Sequence, residues 1–154
     1  MIKIINKEFV MDLEKRLRSR GYRVTLQREA VFEVLEDNEG KPLSPEDIHA
    51  MASARYPGLG LTTIYRTMDL FCDLRIAFPV HLRGGHRFYE LNSGKHHHHM
   101  ECLSCGTVEL LEACMIDDMV ELVRDGSAFL ITSHCMSLFG YCPDCLEGGR
   151  ARGE

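Results

Sequence analysis

Two cysteine pairs of the form Cys-x-x-Cys constrain this chain more than any other feature. The first is Cys102–Cys105 and the second is Cys142–Cys145. Each pair presents two thiolates at short range, and two such pairs can surround one zinc ion with four sulfurs at about 2.3 Å. The alternatives are two disulfides or buried thiols without a metal. The spacing favours a closed structural zinc site that ties two distant segments together.

A run of four histidines, His96 to His99, lies directly before the first cysteine pair. If residues 96 to 102 form a strand, successive side chains point to opposite faces. His97 and His99 then share one face, and His96 and His98 share the other. One short strand can therefore supply imidazoles to two separate metal sites. The alternative is a solvated His-rich loop with no ligand role.

The charge of the chain is unevenly distributed along its length. Residues 1–90 hold 14 basic and 13 acidic residues, a net charge of +1, whereas residues 91–154 hold 4 and 10, a net charge of −6. Contact with DNA would therefore depend on a local basic face in the first half. Seven cysteines fit a reducing compartment, and no apolar run reaches the length of a membrane span, so we expect a cytoplasmic protein.

The first half of the chain has the pattern of a winged helix-turn-helix. Apolar spacing and capping residues predict four helices, the second capped by Thr25, the third by Ser44 and the fourth opened by Thr62 or Thr63. A hairpin follows, with a Gly-Gly turn between its strands. The predicted helices and strands of this half are 7–19, 25–37, a helix after Ser44, 62–74, Ile76–Leu82 and Arg87–Leu91.

The second half has the pattern of a small α/β domain, with four strands and one helix. The predicted elements are strands His96–Cys102, Thr107–Leu110, Phe129–His134 and Met136–Tyr141, and a helix at about Asp117–Arg124. We therefore expect an α+β protein with four parts. These are a DNA-binding domain at 1–91, a hinge at 92–95, a metal-binding and dimerisation domain at 96–147, and a disordered tail at 148–154.

Four side chains of the predicted fourth helix fall outside its apolar stripe: Thr62, Thr63, Tyr65 and Arg66. Hydroxyl groups and an arginine at the start of such a helix are suited to phosphate anchoring and to base contacts in the major groove. The ring of Tyr65 can contact a thymine methyl group while Arg66 neutralises a phosphate. The alternative is an exposed helix face without a partner.

With both halves in view, the chain resembles the ferric uptake regulator family of bacterial metal-responsive repressors. The resemblance covers roughly residues 8 to 146. Its motifs are Arg23–Arg28, Gly60–Thr67, Phe88–Leu91, the histidine run and both cysteine pairs. It implies an N-terminal winged helix-turn-helix DNA-binding domain followed by a small α/β dimerisation domain with structural zinc. The implied partners are a double-stranded DNA operator and a second copy of the chain.

The resemblance also implies three metal sites. The structural zinc site corresponds to Cys102, Cys105, Cys142 and Cys145. The sensory site corresponds to Glu90, His97 and His99, and the third site to His96, His98, Asp117 and His134. An imidazole at His98 favours zinc or iron over magnesium-like ions.

One position departs from the family. Many members supply a further sensory histidine from the start of the third helix, where this chain has Pro42. His86 has the same strand parity as Glu90 and is the first candidate to replace it. Weaker candidates are His49, His81, Glu109 and Glu112.

By this resemblance we expect a metal-dependent repressor that binds palindromic operators as a homodimer. Structural Zn2+ and sensory Fe2+ are the expected ions. Tyr89 and Glu90 stand where peroxide-sensing members use Asp, and residues 76–96 contain no cysteine for a zinc-sensing site. Manganese, zinc or peroxide sensing are the alternatives within the family.

A zinc-dependent hydrolase is a remote alternative, since the chain has no His-Glu-x-x-His helix motif, and a zinc-ribbon interaction module would leave the fourth helix and hairpin unexplained.

Overall fold

The computed structural model describes residues 7–112, 116, 123, 126–130 and 134–150. The chain forms two compact units. The N-terminal unit comprises residues up to Val80 together with His86–Ser93. The C-terminal unit comprises His81–Gly85 and the chain from Gly94 onward. Within the described residues, no helix is long and apolar enough to cross a membrane.

Four helices form most of the N-terminal unit, as the sequence predicts. They are α1 (Lys7–Ser19), α2 (Leu26–Asp37), α3 (Pro45–Arg55) and α4 (Leu61–Asp73). The predicted caps of α2 and α3 are confirmed. The Thr25 side chain accepts a hydrogen bond from the Arg28 amide, and Ser44 forms a reciprocal capping box with Asp47. These caps fix the starts of α2 and α3, the two helices that precede α4.

The predicted start of α4 is wrong by one or two residues. Gly60 is the N-cap residue, and no side chain caps the helix. The carbonyl of Gly60 accepts hydrogen bonds from the amides of Thr63 and Ile64, at 2.9 and 3.3 Å. Thr62 and Thr63 therefore lie inside the first turn, and Thr62 is exposed.

A two-stranded sheet completes the N-terminal unit. Its strands are β1 (Ala77–His81) and β2 (Arg87–Leu91), so β2 has the predicted bounds and β1 is shorter than predicted. Leu43, just before α3, exchanges two backbone hydrogen bonds of 2.9 Å with Tyr89. The apolar faces of the helices meet in a core that includes Leu17, Val31, Leu35, Ile48, Ile64, Met68 and Phe71. Helices with a two-stranded wing confirm the predicted winged helix-turn-helix.

A three-stranded sheet forms the centre of the C-terminal unit. Its strands are β3 (His98–Cys102), β4 (Val108–Leu111) and β5 (Ser137–Gly140), in the order β4-β3-β5. β3 is antiparallel to β4 and parallel to β5. The prediction that β3 begins at His96 is wrong, because the pairing with β4 stops where His98 lies opposite Leu111. A short helix, α5 (Pro143–Glu147), contains the second cysteine pair.

Two predicted elements of this unit lie largely outside the described residues. The helix at 117–124 falls there except for Val123, and so does Asp117. Of the predicted strand Phe129–His134, the described residues Phe129, Leu130 and His134 are not in a strand. The predicted disordered tail is described only to Arg150, whose amide donates to the Cys145 carbonyl at 2.9 Å.

Candidate metal clusters and nucleic-acid interface

The four cysteines of the two Cys-x-x-Cys pairs come together at one end of the C-terminal sheet. Cys102 ends β3, Cys105 follows in a turn, Cys142 caps α5 and Cys145 lies within it. All four sulfur atoms lie within 4.8 Å of one another. The Sγ atoms of Cys105 and Cys142 are 3.7 Å apart. Sulfurs at about 2.3 Å from a tetrahedral zinc ion are separated by about 3.8 Å, so this spacing fits a single ion.

Local hydrogen bonds prepare some of these thiols to lose their protons. The amide of Cys142 donates to the Cys102 sulfur at 3.3 Å. That bond, followed by one from the Cys105 amide, lowers the pKa of Cys102 to about 6. The Thr107 side chain lowers the pKa of Cys105. The Cys145 amide lowers the pKa of Cys142, but burial and the three neighbouring thiols raise it overall to about 12. A divalent cation among the sulfurs would offset this crowding, because it stabilises thiolates.

A second cluster consists of three imidazoles in the same unit. The Nε2 atom of His96 lies 3.1 Å from that of His98 and 3.0 Å from that of His134. Three nitrogens at about 2.1 Å from a tetrahedral ion would be about 3.4 Å apart, so a small increase in the distances between these nitrogens would admit one metal ion. His98 is almost fully buried, and burial, then the neighbouring His96 and His134, lower its pKa. A lowered histidine pKa favours the neutral ring that binds metals.

The structure thus brings together three of the four residues predicted for the third site. The fourth, Asp117, lies outside the described residues. The ring contacts follow the predicted alternation along the histidine run. The rings of His96 and His98 pack edge to face at 4.7 Å, and those of His97 and His99 at 5.2 Å.

The predicted sensory residues are divided between the two units. Glu90 lies on β2 in the N-terminal unit and is 1% exposed. His97 and His99 lie in the C-terminal unit, where His99 is also buried. Because buried carboxylates require charge compensation or hydrogen bonds, Glu90 is a suitable ligand for a cation.

The candidate substitutes for the missing family histidine have different positions. His86 is exposed in the turn before β2, and among the described residues it is not grouped with other potential ligands. Glu109 and Glu112 are exposed as well. His49 already has a partner, because its Nε2 atom lies 2.7 Å from the Leu59 carbonyl oxygen.

The candidate nucleic-acid interface is the solvent side of α4. Thr62 and Arg66 are exposed, and Thr63 and Tyr65 are partly exposed. The Tyr65 hydroxyl donates a hydrogen bond of 3.2 Å to Glu46 in the first turn of α3. The sequence did not predict a role for Glu46, because its contact with Tyr65 joins two different helices and no pattern within either helix indicates it.

A winged helix-turn-helix unit and a unit with clustered thiols and imidazoles define a class of transcription regulators that bind both DNA and metal ions. The chain belongs to the ferric uptake regulator family, whose sequence model matches residues 19–139. Members of this family are transcription regulators, which confirms the prediction that the chain is not an enzyme.

Individual relatives agree with this assignment. The Ferric uptake regulation protein of Bacillus subtilis (strain 168) is 33% identical over 136 residues, which cover 86% of this chain and 91% of that protein. The crystal structure of the Vibrio cholerae ferric uptake regulator is similar with a TM-score of 0.71 and 30% identity, over 84% of this chain and 98% of that one. A zinc-bound manganese uptake regulator has a TM-score of 0.64 and 29% identity, over 84% and 98%.

Proposed function

We propose that this protein is an iron-responsive repressor that binds palindromic operator DNA as a homodimer when metal fills the sensory site. One observation carries the proposal. A single chain combines a helix-turn-helix unit, whose α4 presents Thr62, Tyr65 and Arg66, with a unit that clusters two further sets of metal-ligand side chains. DNA as the partner implies that the protein works in the cytoplasm.

The proposed DNA contacts follow from the chemistry of α4. The guanidinium of Arg66 would neutralise a phosphate, and the hydroxyls of Thr62 and Thr63 would anchor the helix against the backbone of the duplex. Tyr65 would place its ring against a thymine methyl group in the major groove.

The four cysteines would hold a structural zinc ion, and Glu90, His97 and His99 would hold the sensory ion. His96, His98 and His134, with Asp117, would form a third site. Closed sulfur ligation keeps an ion permanently, whereas two imidazoles and a carboxylate hold a divalent ion that can exchange. The exchangeable set is therefore the one suited to sensing.

Metal control would arise from ligands that belong to different units. A divalent ion held by Glu90 together with His97 and His99 would favour one arrangement of the units, and that arrangement would be the one that binds DNA. A 100-fold gain in DNA affinity requires the ion to favour that state by about 2.7 kcal/mol.

The exposed strand β5 supports the proposed homodimer. Within the described part of the chain β5 is an edge of its sheet, and it exposes Leu138 and Phe139. Exposed apolar edge strands are suited to pairing with another chain. A two-fold symmetric dimer would match the symmetry of a palindromic operator.

The choice of iron rests on the relatives and on the ligand set. The Bacillus subtilis relative is named for ferric uptake, and a structural relative is a zinc-bound manganese uptake regulator. Imidazole and carboxylate ligands accept iron, manganese and zinc, so manganese and zinc are the second candidates.

Fluorescence anisotropy on a labelled palindromic duplex tests the proposal. Protein that retains its structural zinc is stripped of labile metal and titrated without oxygen with Fe(II), Mn(II) or Zn(II). We expect about 100-fold tighter DNA binding, reached at a lower free concentration of Fe(II) than of Mn(II). His97→Ala should abolish the response. His81→Ala should leave the response intact, because His81 is exposed and, among the described residues, is not grouped with other potential ligands.

Two results would contradict the proposal. Equal DNA affinity with and without every metal would show that these ligands do not control binding. A response at lower free Mn(II) than Fe(II) would reverse the usual affinity order and would retain the repressor but reject iron as its signal.

A further inference from the structure

The contact between Tyr65 and Glu46 joins the DNA-facing side of α4 to the first turn of α3. The Tyr65 hydroxyl donates to a Glu46 carboxylate oxygen at 3.2 Å. Burial, followed by the Glu46 charge, raises the pKa of Tyr65. The hydroxyl, which is protonated at neutral pH in any tyrosine, can act as the donor.

Glu46 is held on a well-anchored element. The capping box of Ser44 and Asp47 fixes the first turn of α3, and the backbone bonds between Leu43 and Tyr89 fix the segment before it. Farther along α3, the His49 ring contacts the Leu59 carbonyl just ahead of the start of α4. Helix α3 thus contacts α4 at Tyr65 and contacts the segment just before α4 at Leu59.

We propose that Glu46 is a positioning residue that fixes the ring of Tyr65 for base recognition. This inference rests on the proposed reading of thymine by Tyr65. A tyrosine on a helix surface can adopt several rotamers, and a hydrogen bond at the far end of the ring selects among them. Glu46 determines specificity through this restriction and does not contact the base itself.

Glu46 should weaken overall DNA affinity while it improves discrimination between bases. Its carboxylate lies beside a surface that faces a polyanion, so it weakens binding to any duplex. Loss of Glu46 should therefore raise affinity for random DNA while reducing discrimination between bases. A residue with only a structural role would lower both quantities together. Higher affinity for random DNA together with lower base discrimination therefore identifies a positioning role, whereas a loss of both identifies a structural role.

The test uses the full metal-loaded protein and a duplex selected by the wild-type protein from a random pool. Each thymine of the half-site is replaced in turn by uracil, which lacks only the methyl group. At one of these positions, wild-type protein should bind the thymine duplex about fourfold more tightly than the uracil duplex. This ratio corresponds to the burial of one methyl group. Glu46→Ala and Tyr65→Phe should each reduce this ratio below about twofold, and the double variant should match either single variant.

Glu46→Gln provides the decisive comparison, because its amide oxygen can still accept the hydrogen bond. This variant should keep the fourfold ratio and bind random DNA more tightly. Glu14→Ala is the charge control, since that carboxylate pairs with Arg18 on α1. It should leave the ratio unchanged. Tyr65→Phe keeps the test decisive if Glu46→Ala does not fold.

Three outcomes would overturn the proposal. Glu46→Ala could retain the wild-type ratio, or Glu46→Gln could lose it as fully as Glu46→Ala. Wild-type protein could also bind its selected duplex specifically without any thymine preference, which would leave the repressor function intact. Failure to select any duplex over random DNA would instead reject the proposed DNA recognition itself, and the role of Glu46 with it.

Discussion

Replacement of Cys105 by serine tests the zinc cluster most directly. Cys105 is exposed, and its sulfur lies 3.7 Å from that of Cys142, so the substitution removes one ligand without leaving a cavity in the core. Structural zinc in four-ligand sites contributes about 10–16 kcal/mol, which corresponds to roughly 3 kcal/mol per ligand. Zinc affinity should therefore fall by about two orders of magnitude.

The affinity can be measured by competition with a chromogenic chelator, and zinc content by mass spectrometry after dialysis. Zinc binding also stabilises the folded state in proportion to RT ln(1 + [Zn]/Kd), so the same loss should appear in thermal unfolding. At zinc concentrations that saturate both proteins, Cys105→Ser should be about 3 kcal/mol less stable than wild type. Cys72→Ser is the matched control, because Cys72 lies on α4 in the other unit.

Cys105→Ser could keep one zinc ion per chain against the same chelator concentration that wild type resists, or EDTA could strip wild-type protein of zinc without changing its unfolding curve. Either result would mean that the four thiols lie close together for a reason other than metal binding.

Three further predictions follow from individual side chains. Burial raises the pKa of Cys72 to about 11, so its thiol should react with iodoacetamide more slowly at pH 8 than the exposed Cys135. Because the thiolate fraction grows about tenfold per pH unit below the pKa, the Cys72 rate should rise about 100-fold between pH 8 and pH 10, as peptide mapping would measure. Phe71→Ala should destabilise the N-terminal unit by about 3–5 kcal/mol in urea unfolding, because Phe71 is fully buried and packs edge to face on Phe32; a loss below about 1 kcal/mol would contradict the assigned core. His98→Gln should abolish the Co(II) absorption of the cluster of His96, His98 and His134, whereas His97→Gln should retain it; equal spectra would reject the division of the histidine run.

Local rules predicted much of the N-terminal unit. Thr25 and Ser44 cap the helices they were expected to cap, because a side-chain oxygen just before an apolar stripe satisfies the first amides of a helix. The same rule failed at α4, where Gly60 begins the helix without a side-chain cap. Thr62 and Thr63 are polar for another reason, which is that they lie on the outer face of the helix.

Contacts between distant segments could not be predicted in this way. Alternation along the histidine run separated His96 and His98 from their neighbours, but His134 joined them only through the family resemblance. In the folded chain the Nε2 atoms of His134 and His96 are 3.0 Å apart. The start of β3 depended on where its partner β4 ends, which no pattern within β3 reveals. Glu46 was missed because its contact with Tyr65 depends on the packing of α3 against α4.

The alternation along β3 also limits how this protein can change in evolution. Substitution of one histidine alters one ligand of one cluster. Deletion of a single residue between His99 and Cys102 would instead turn His98 and His99, the two imidazoles on the strand, each to the opposite side of the sheet, while both cysteine pairs kept their spacing. A substitution can therefore change either histidine set alone. A change in the length of the strand would misplace ligands of both sets at once and leave the four thiols in place.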